Sequence, residues 1–141
     1  MVINTEGMRI IMSNTILTMK LLNESFAVCR LESREPVPAW ASSGSFFSIT
    51  RTAEELSVVC TQENVPSGIK CEKNWRILKV EGPLDFSLIG ILSSISSVLA
   101  SSGISIFAIS TYDTDYILVK DENINKATDV LSAKGYNIVS E

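Results

Sequence analysis

The residues best equipped for chemistry lie together in "IFAISTYDTDYILV", residues 106–119. Two carboxylates, Asp113 and Asp115, and three hydroxyl-bearing residues, Ser110, Thr111 and Thr114, interrupt two β-rich apolar runs. Asp and Thr are ordinary turn formers, which accounts for Asp113 and Thr114. Asp115 stands where the strand resumes beside Tyr116. Two acids two apart on a strand point the same way, so they repel unless a cation lies between them or one sits in the bend. An ammonium or guanidinium group is the natural partner.

A second candidate is "EGPLDFSLIG", which ends a strand and opens a helix with Asp85, Phe86, Ser87 and Gly90. Unpaired N–H groups at a helix start attract a carboxylate or phosphate. Gly90, read as interior to the helix, costs about 1 kcal/mol relative to Ala, and close approach of a ligand or another backbone would offset that. The other function classes are poorly served. The chain has no histidine, which removes Ser-His and Cys-His nucleophiles, His-containing metal sites and the commonest general base. No P-loop, dinucleotide fingerprint or nucleophile elbow is present. The reading is therefore of a protein that is no enzyme and needs no cofactor and no metal.

These residues sit in a chain of 141 residues, 45% hydrophobic and 20% charged, which suffices for a real core. A net charge of −4 excludes a nucleic-acid footprint. No run approaches the roughly 18 apolar residues of a membrane span. Residues 1–15 lack the apolar core of a secretory signal and read as a flexible tail, so a cytoplasmic location is expected. Cys29 and Cys60 fall in strand-like runs and read as small core hydrophobes, Cys71 as more exposed, with no disulfide expected.

Strand patterns occur at 16–22, 26–31, 46–50, 56–61, 75–81, 104–110, 115–120 and 136–139. Helical spacing places Leu88, Ile91, Leu92, Ile95, Val98 and Leu99 on one face of 86–102, with Asp85 as cap and Gly103 past the end. Its other face is Ser93, Ser94, Ser97 and Ser101, which suits contact with another surface. A second helix, 123–134, carries Ile124, Ala127, Val130 and Leu131 and stops at Gly135. A short helix is expected around Pro38–Ala41, and loops at 32–45 and 62–74. From residue 75 the order is βαββαβ, the ferredoxin-like split unit.

The chain also repeats itself. "FFSITRTAEELSVV" at 46–59 aligns on 106–119 at an offset of 60, matching Thr50 with Ser110, Glu55 with Asp115 and Val59 with Val119. The fold class is thus α+β, two ferredoxin-like units in tandem, the first degenerate: a tail at 1–15, a first unit at 16–70 and a second at 71–141. A half of about 60 residues is marginal alone, so the two should share a sheet or a core.

The stretches "GPLDFSLIG", "ISTYDTDYILV" and "TRTAEELSVVC" together resemble the ACT domain. The closer likeness is to the tandem-ACT subfamily of small bacterial proteins, CASTOR-type arginine sensors and aspartate kinase regulatory domains. The resemblance implies a regulatory module that holds a small molecule, an amino acid, at an interface between ACT units. Its binding positions would be Asp85, Phe86, Ser87 and Gly90 in the strand-to-helix loop, and Ser110, Thr111 and Asp115 at the facing strand end. Glu55 is the candidate for a second site. CASTOR-type sensors carry twice as many units per chain, which implies a homodimer here. The alternative is an interaction protein that uses an ACT-like surface only to dimerise.

Overall fold

A computed structural model describes residues 17–82 and 90–141. The expected tail at 1–15 lies outside them. Eight strands form one continuous sheet. They are β1 (Thr18–Leu21), β2 (Phe26–Leu31), β3 (Ser48–Arg51), β4 (Leu56–Thr61), β5 (Cys71–Val80), β6 (Ile106–Ser110), β7 (Asp115–Lys120) and β8 (Asn137–Ser140). Among the described residues two α-helices, α1 (Ile91–Ser101) and α2 (Ile124–Ala133), belong to the second half. The expected short helix is a 3-10 turn over Ala39–Ser42.

The long strand β5 holds the two halves together. Along one edge it pairs antiparallel first with β2, where Cys29 faces Cys71, and then with β1, where Met19 faces Val80. On its other edge it takes β7 from Trp75 to Lys79. β4 and β3 extend the sheet beyond β2, and β6 extends it beyond β7. The split βαββαβ order is present, but β1 stands between β5 and β8, running parallel to β8. Such an insertion is invisible to local periodicity, because it is a property of long-range pairing.

Alternation along the strands divides the apolar residues between faces. Leu78, Val80, Ile117 and Val119 meet Ile91, Ile95 and Leu99 of α1 and Ile124, Ala127 and Leu131 of α2. Phe26, Val59, Trp75, Ile77 and Leu118 form a second cluster on the opposite face, joined by Phe46, Phe107 and Tyr116. Phe46 stands 4.5 Å from Tyr116 and 5.9 Å from Phe26, tying the first half to the second. A third cluster, Ala27, Cys29, Leu31, Leu56, Val58 and Cys60, lies under the 3-10 turn at Ala41.

β5 reaches both halves by bending. Phe26 faces Trp75 while Val28 faces Glu72, so one extra residue is spliced into β5. That bulge contains Asn74 at φ 67, the left-handed region that few side chains tolerate. Its backbone N–H donates to Gln62 Oε1 at 2.6 Å and its Oδ1 accepts from Gln62 Nε2 at 3.3 Å. The polar run 71–74, expected as loop, is thus strand, with its charged side chains on the surface. Replacing Asn74 should report the strain directly. Both Asn74→Ala and Asn74→Gly lose the amide contact, so Asn74→Gly is expected to be the more stable by about 1 kcal/mol in urea unfolding. Equal stabilities would contradict the bulge.

Candidate functional site

The β6–β7 turn is built by threonine. Thr111 N donates to Thr114 O at 2.8 Å, Thr111 Oγ1 donates to the same carbonyl at 3.0 Å, and Thr114 N donates back to Thr111 Oγ1 at 3.3 Å. Thr114 itself is buried, and its hydroxyl donates to the Val80 carbonyl at the end of β5. One threonine therefore closes the turn and its partner anchors it where the chain leaves the sheet for α1.

That anchoring fixes Asp115. Ser110 and Asp115 are the last cross-strand pair of β6 and β7, and Ser110 Oγ donates to Asp115 Oδ1 at 2.5 Å. Asp115 shares the face of Ile117 and Val119, the face that α1 covers. It makes no ion pair among the described residues. Half-buried, with one oxygen held by a hydroxyl, the carboxylate keeps acceptor capacity on its second oxygen. Asp113 lies exposed in the bend, so the two acids do not converge on one cation.

The other expected residues are distributed as follows. Asp85, Phe86 and Ser87 lie outside the described residues, as does the expected cap and first turn of the 86–102 helix. Gly90 is not inside the helix: it is the N-cap of α1 at φ 81, ψ 4. A Cβ there would meet nothing within 4 Å. The left-handed backbone is by itself a sufficient reason for glycine at this position. Thr111 spends its hydroxyl inside the turn. Thr114 was legible only as a turn former, because nothing in the local pattern marks a hydroxyl that reaches a distant strand end. Among the described residues no cluster could hold a metal ion, and no helix is long and apolar enough to cross a membrane.

The first hairpin repeats this turn. Thr52 N donates to Glu55 O at 2.8 Å, and Glu54 and Glu55 N–H groups both donate to Thr52 Oγ1 at 3.1 Å. Thr52 thus matches Thr111, Glu55 matches Thr114, and Leu56 matches Asp115, so the offset is 59. The core agrees, since Val59 and Leu118 share one cluster while Val119 lies in another. The offset of 60 is a one-residue slip, which inverts every side chain between faces. Glu55 is therefore not the counterpart of Asp115, and the first hairpin carries an apolar residue in the acid's place. The anchoring role of Thr114 predicts that Thr114→Val, nearly isosteric, destabilises by about 1–3 kcal/mol by stranding the Val80 carbonyl. Urea unfolding reads this, and an unchanged midpoint would remove the anchor.

A model of the ACT domain matches residues 70–133, and a model of an N-terminal domain matches residues 24–68. The crystal structure of protein Atu0741 from Agrobacterium tumefaciens is similar at 38% identity and a TM-score of 0.85, covering 90% of this chain and 95% of that one. The cytosolic arginine sensor for mTORC1 subunit 1 of Homo sapiens is 31% identical over 116 residues, 77% of this chain. The chain spans only about a third of that relative's length, 34%. The aspartate kinase of Clostridium acetobutylicum shares the fold at a TM-score of 0.65 and 15% identity, over 86% of this chain and 35% of the kinase.

Proposed function

The chain belongs to the ACT-domain family, and from that premise we propose that it is a regulatory module that binds a free amino acid beside Asp115. The observation that carries this reading is the Asp115 carboxylate itself. It is oriented by Ser110, has no cation of its own among the described residues, and faces the helix layer where β5 hands the chain to α1. The carboxylate accepts the ligand's cationic group. The segment that includes Asp85, Phe86 and Ser87, together with the unpaired N–H groups at the start of α1 after Gly90, takes the α-carboxylate. Similarity to an arginine sensor makes arginine the first ligand to test. The output is a change of assembly or partner binding, with no turnover.

A thermal-shift series over the standard amino acids tests the reading. A ligand at 100 times its Kd stabilises by about 2.7 kcal/mol, a rise of roughly 6–12 °C for a domain of this size. No shift with any amino acid would contradict binding. With a ligand in hand, Asp115→Ala should weaken affinity about 10- to 100-fold, the worth of one charge-assisted hydrogen bond. Glu55→Ala should leave affinity unchanged, because its hairpin lacks an acid at the matching position. Calorimetry checks both.

We further propose that the module works as a homodimer through the outer face of α1. Ser93, Ser97 and Ala100 are exposed there, with no long side chain to hold a second surface away. Ser94, also exposed, shares a 2.9 Å hydrogen bond with Tyr136. Light scattering should give about twice 15.4 kDa, and Ser97→Arg should return the mass to the monomer value by setting like charges across a two-fold axis. A monomeric mass for the unmodified protein would refute the dimer.

A further inference from the structure

The three cysteines, far apart in sequence, meet in space. Cys29 on β2 is the direct cross-strand partner of Cys71 on β5. Arg30 N donates to Lys70 O at 3.0 Å, which makes the neighbouring Cys29–Cys71 pair a non-hydrogen-bonded one. In such pairs the Cα atoms stand about 4.5 Å apart and the side chains approach most closely, inside the range a disulfide spans. Cys60 on β4 points to the same face, and all three pack in the cluster under Ala41. Burial differs sharply: Cys29 and Cys60 are 1% and 0% exposed, whereas Cys71 is only half-buried.

We propose that Cys71 and Cys29 form a peroxide-driven disulfide that staples β2 to β5. Cys71 is the entry point because a soluble oxidant reaches it first. A peroxide forms an S–O bond at the Cys71 sulfur, its O–O bond breaks, and one water leaves. The Cys29 sulfur then attacks the Cys71 sulfenic acid. The S–S bond forms, the S–O bond breaks, and the departing hydroxide takes the Cys29 proton to leave as the second water. Two thiols are oxidised and one peroxide is reduced to two waters. The hydrogen bond to Cys60 and burial both push the Cys29 thiol up, keeping it protonated in the reduced protein. Cys29 is thus inert toward the peroxide itself, and its attack on the sulfenic acid relies on the proximity that the cross-strand pairing imposes. The staple joins the segments on either side of the boundary between the two halves, at the end of β5 remote from Asp115.

The test treats the reduced, full-length protein with hydrogen peroxide near equimolar ratio and maps its peptides without reduction. The expected result is a Cys29–Cys71 cross-link with the loss of two hydrogens. The cross-link should be retained in Cys60→Ser, absent in Cys71→Ser, and accompanied by a melting midpoint raised by roughly 5–15 °C and reversed by dithiothreitol. A Cys29–Cys60 link, a link between chains only, or sulfinic acid accumulating at Cys71 with Cys29 still reduced would each overturn the proposal. The mapping uses the unmodified protein, so its answer does not depend on whether a variant folds.

Discussion

Backbone hydrogen bonding along β5 is the constraint on which the rest depends. A strand of ten residues is longer than either half needs, and its two ends serve different neighbours. Its first residues pair with β2 and its last with β1, on one edge, while β7 fills the other. A flat strand would hold these partners in one plane. The bulge at Asn74 adds bend and twist within the β2 pairing, just before the partner changes to β1. Apolar residues from both halves can then close over a common face, with Phe46 against Tyr116 and Trp75 within 6.2 Å of Phe107.

The same strand fixes the site. Val80, its last residue, carries the carbonyl that Thr114 grips, and the chain leaves for α1 just beyond it. The turn bearing Asp115 is thus tied to the end of β5. A carboxylate held against Ser110 retains acceptor capacity on its second oxygen while losing rotational freedom, which lowers the ordering cost of binding a cation.

Several elements could be read from sequence alone for a plain reason. β2, β4 and β7 combine period-two alternation with turn residues at both ends, and their observed limits match the expected ones. The stripes Ile91, Ile95, Leu99 and Ile124, Ala127, Leu131 have helical spacing and are buried as a set. Ser110 and Asp115 were both named from the family resemblance, but their pairing across the hairpin emerged only with the strand register. Other features could not be read locally. The insertion of β1 between β5 and β8 concerns which strand finds which edge. The strand at 71–74 was hidden by Glu72, Lys73 and Asn74, whose polarity reports an exposed edge and a bulge. Gly90 was assigned an energetic cost inside a helix when its role is to cap one.

The one-residue slip in the repeat carries the clearest physical lesson. As strings of letters the fourteen residues align better at an offset of 60, with three identities, than at 59, with one, so the sequence favours the wrong register. Structure distinguishes them at once, since Val59 and Leu118 look into the same cluster and Val119 does not. At the correct offset the two hairpins keep identical turn bonds, Thr52 to Glu55 and Thr111 to Thr114, and differ at the next residue. In the first hairpin that residue is Leu56, fully buried in the cluster with Ala27 and Val58. In the second it is Asp115, half-buried and held by a serine. A carboxylate at position 56 would be stranded in an apolar cluster, and a leucine at 115 would leave Ser110 without its acceptor. One turn design therefore serves core packing in one half and presents a charge in the other, and the asymmetry confines the charged site to the half that has α1 above it.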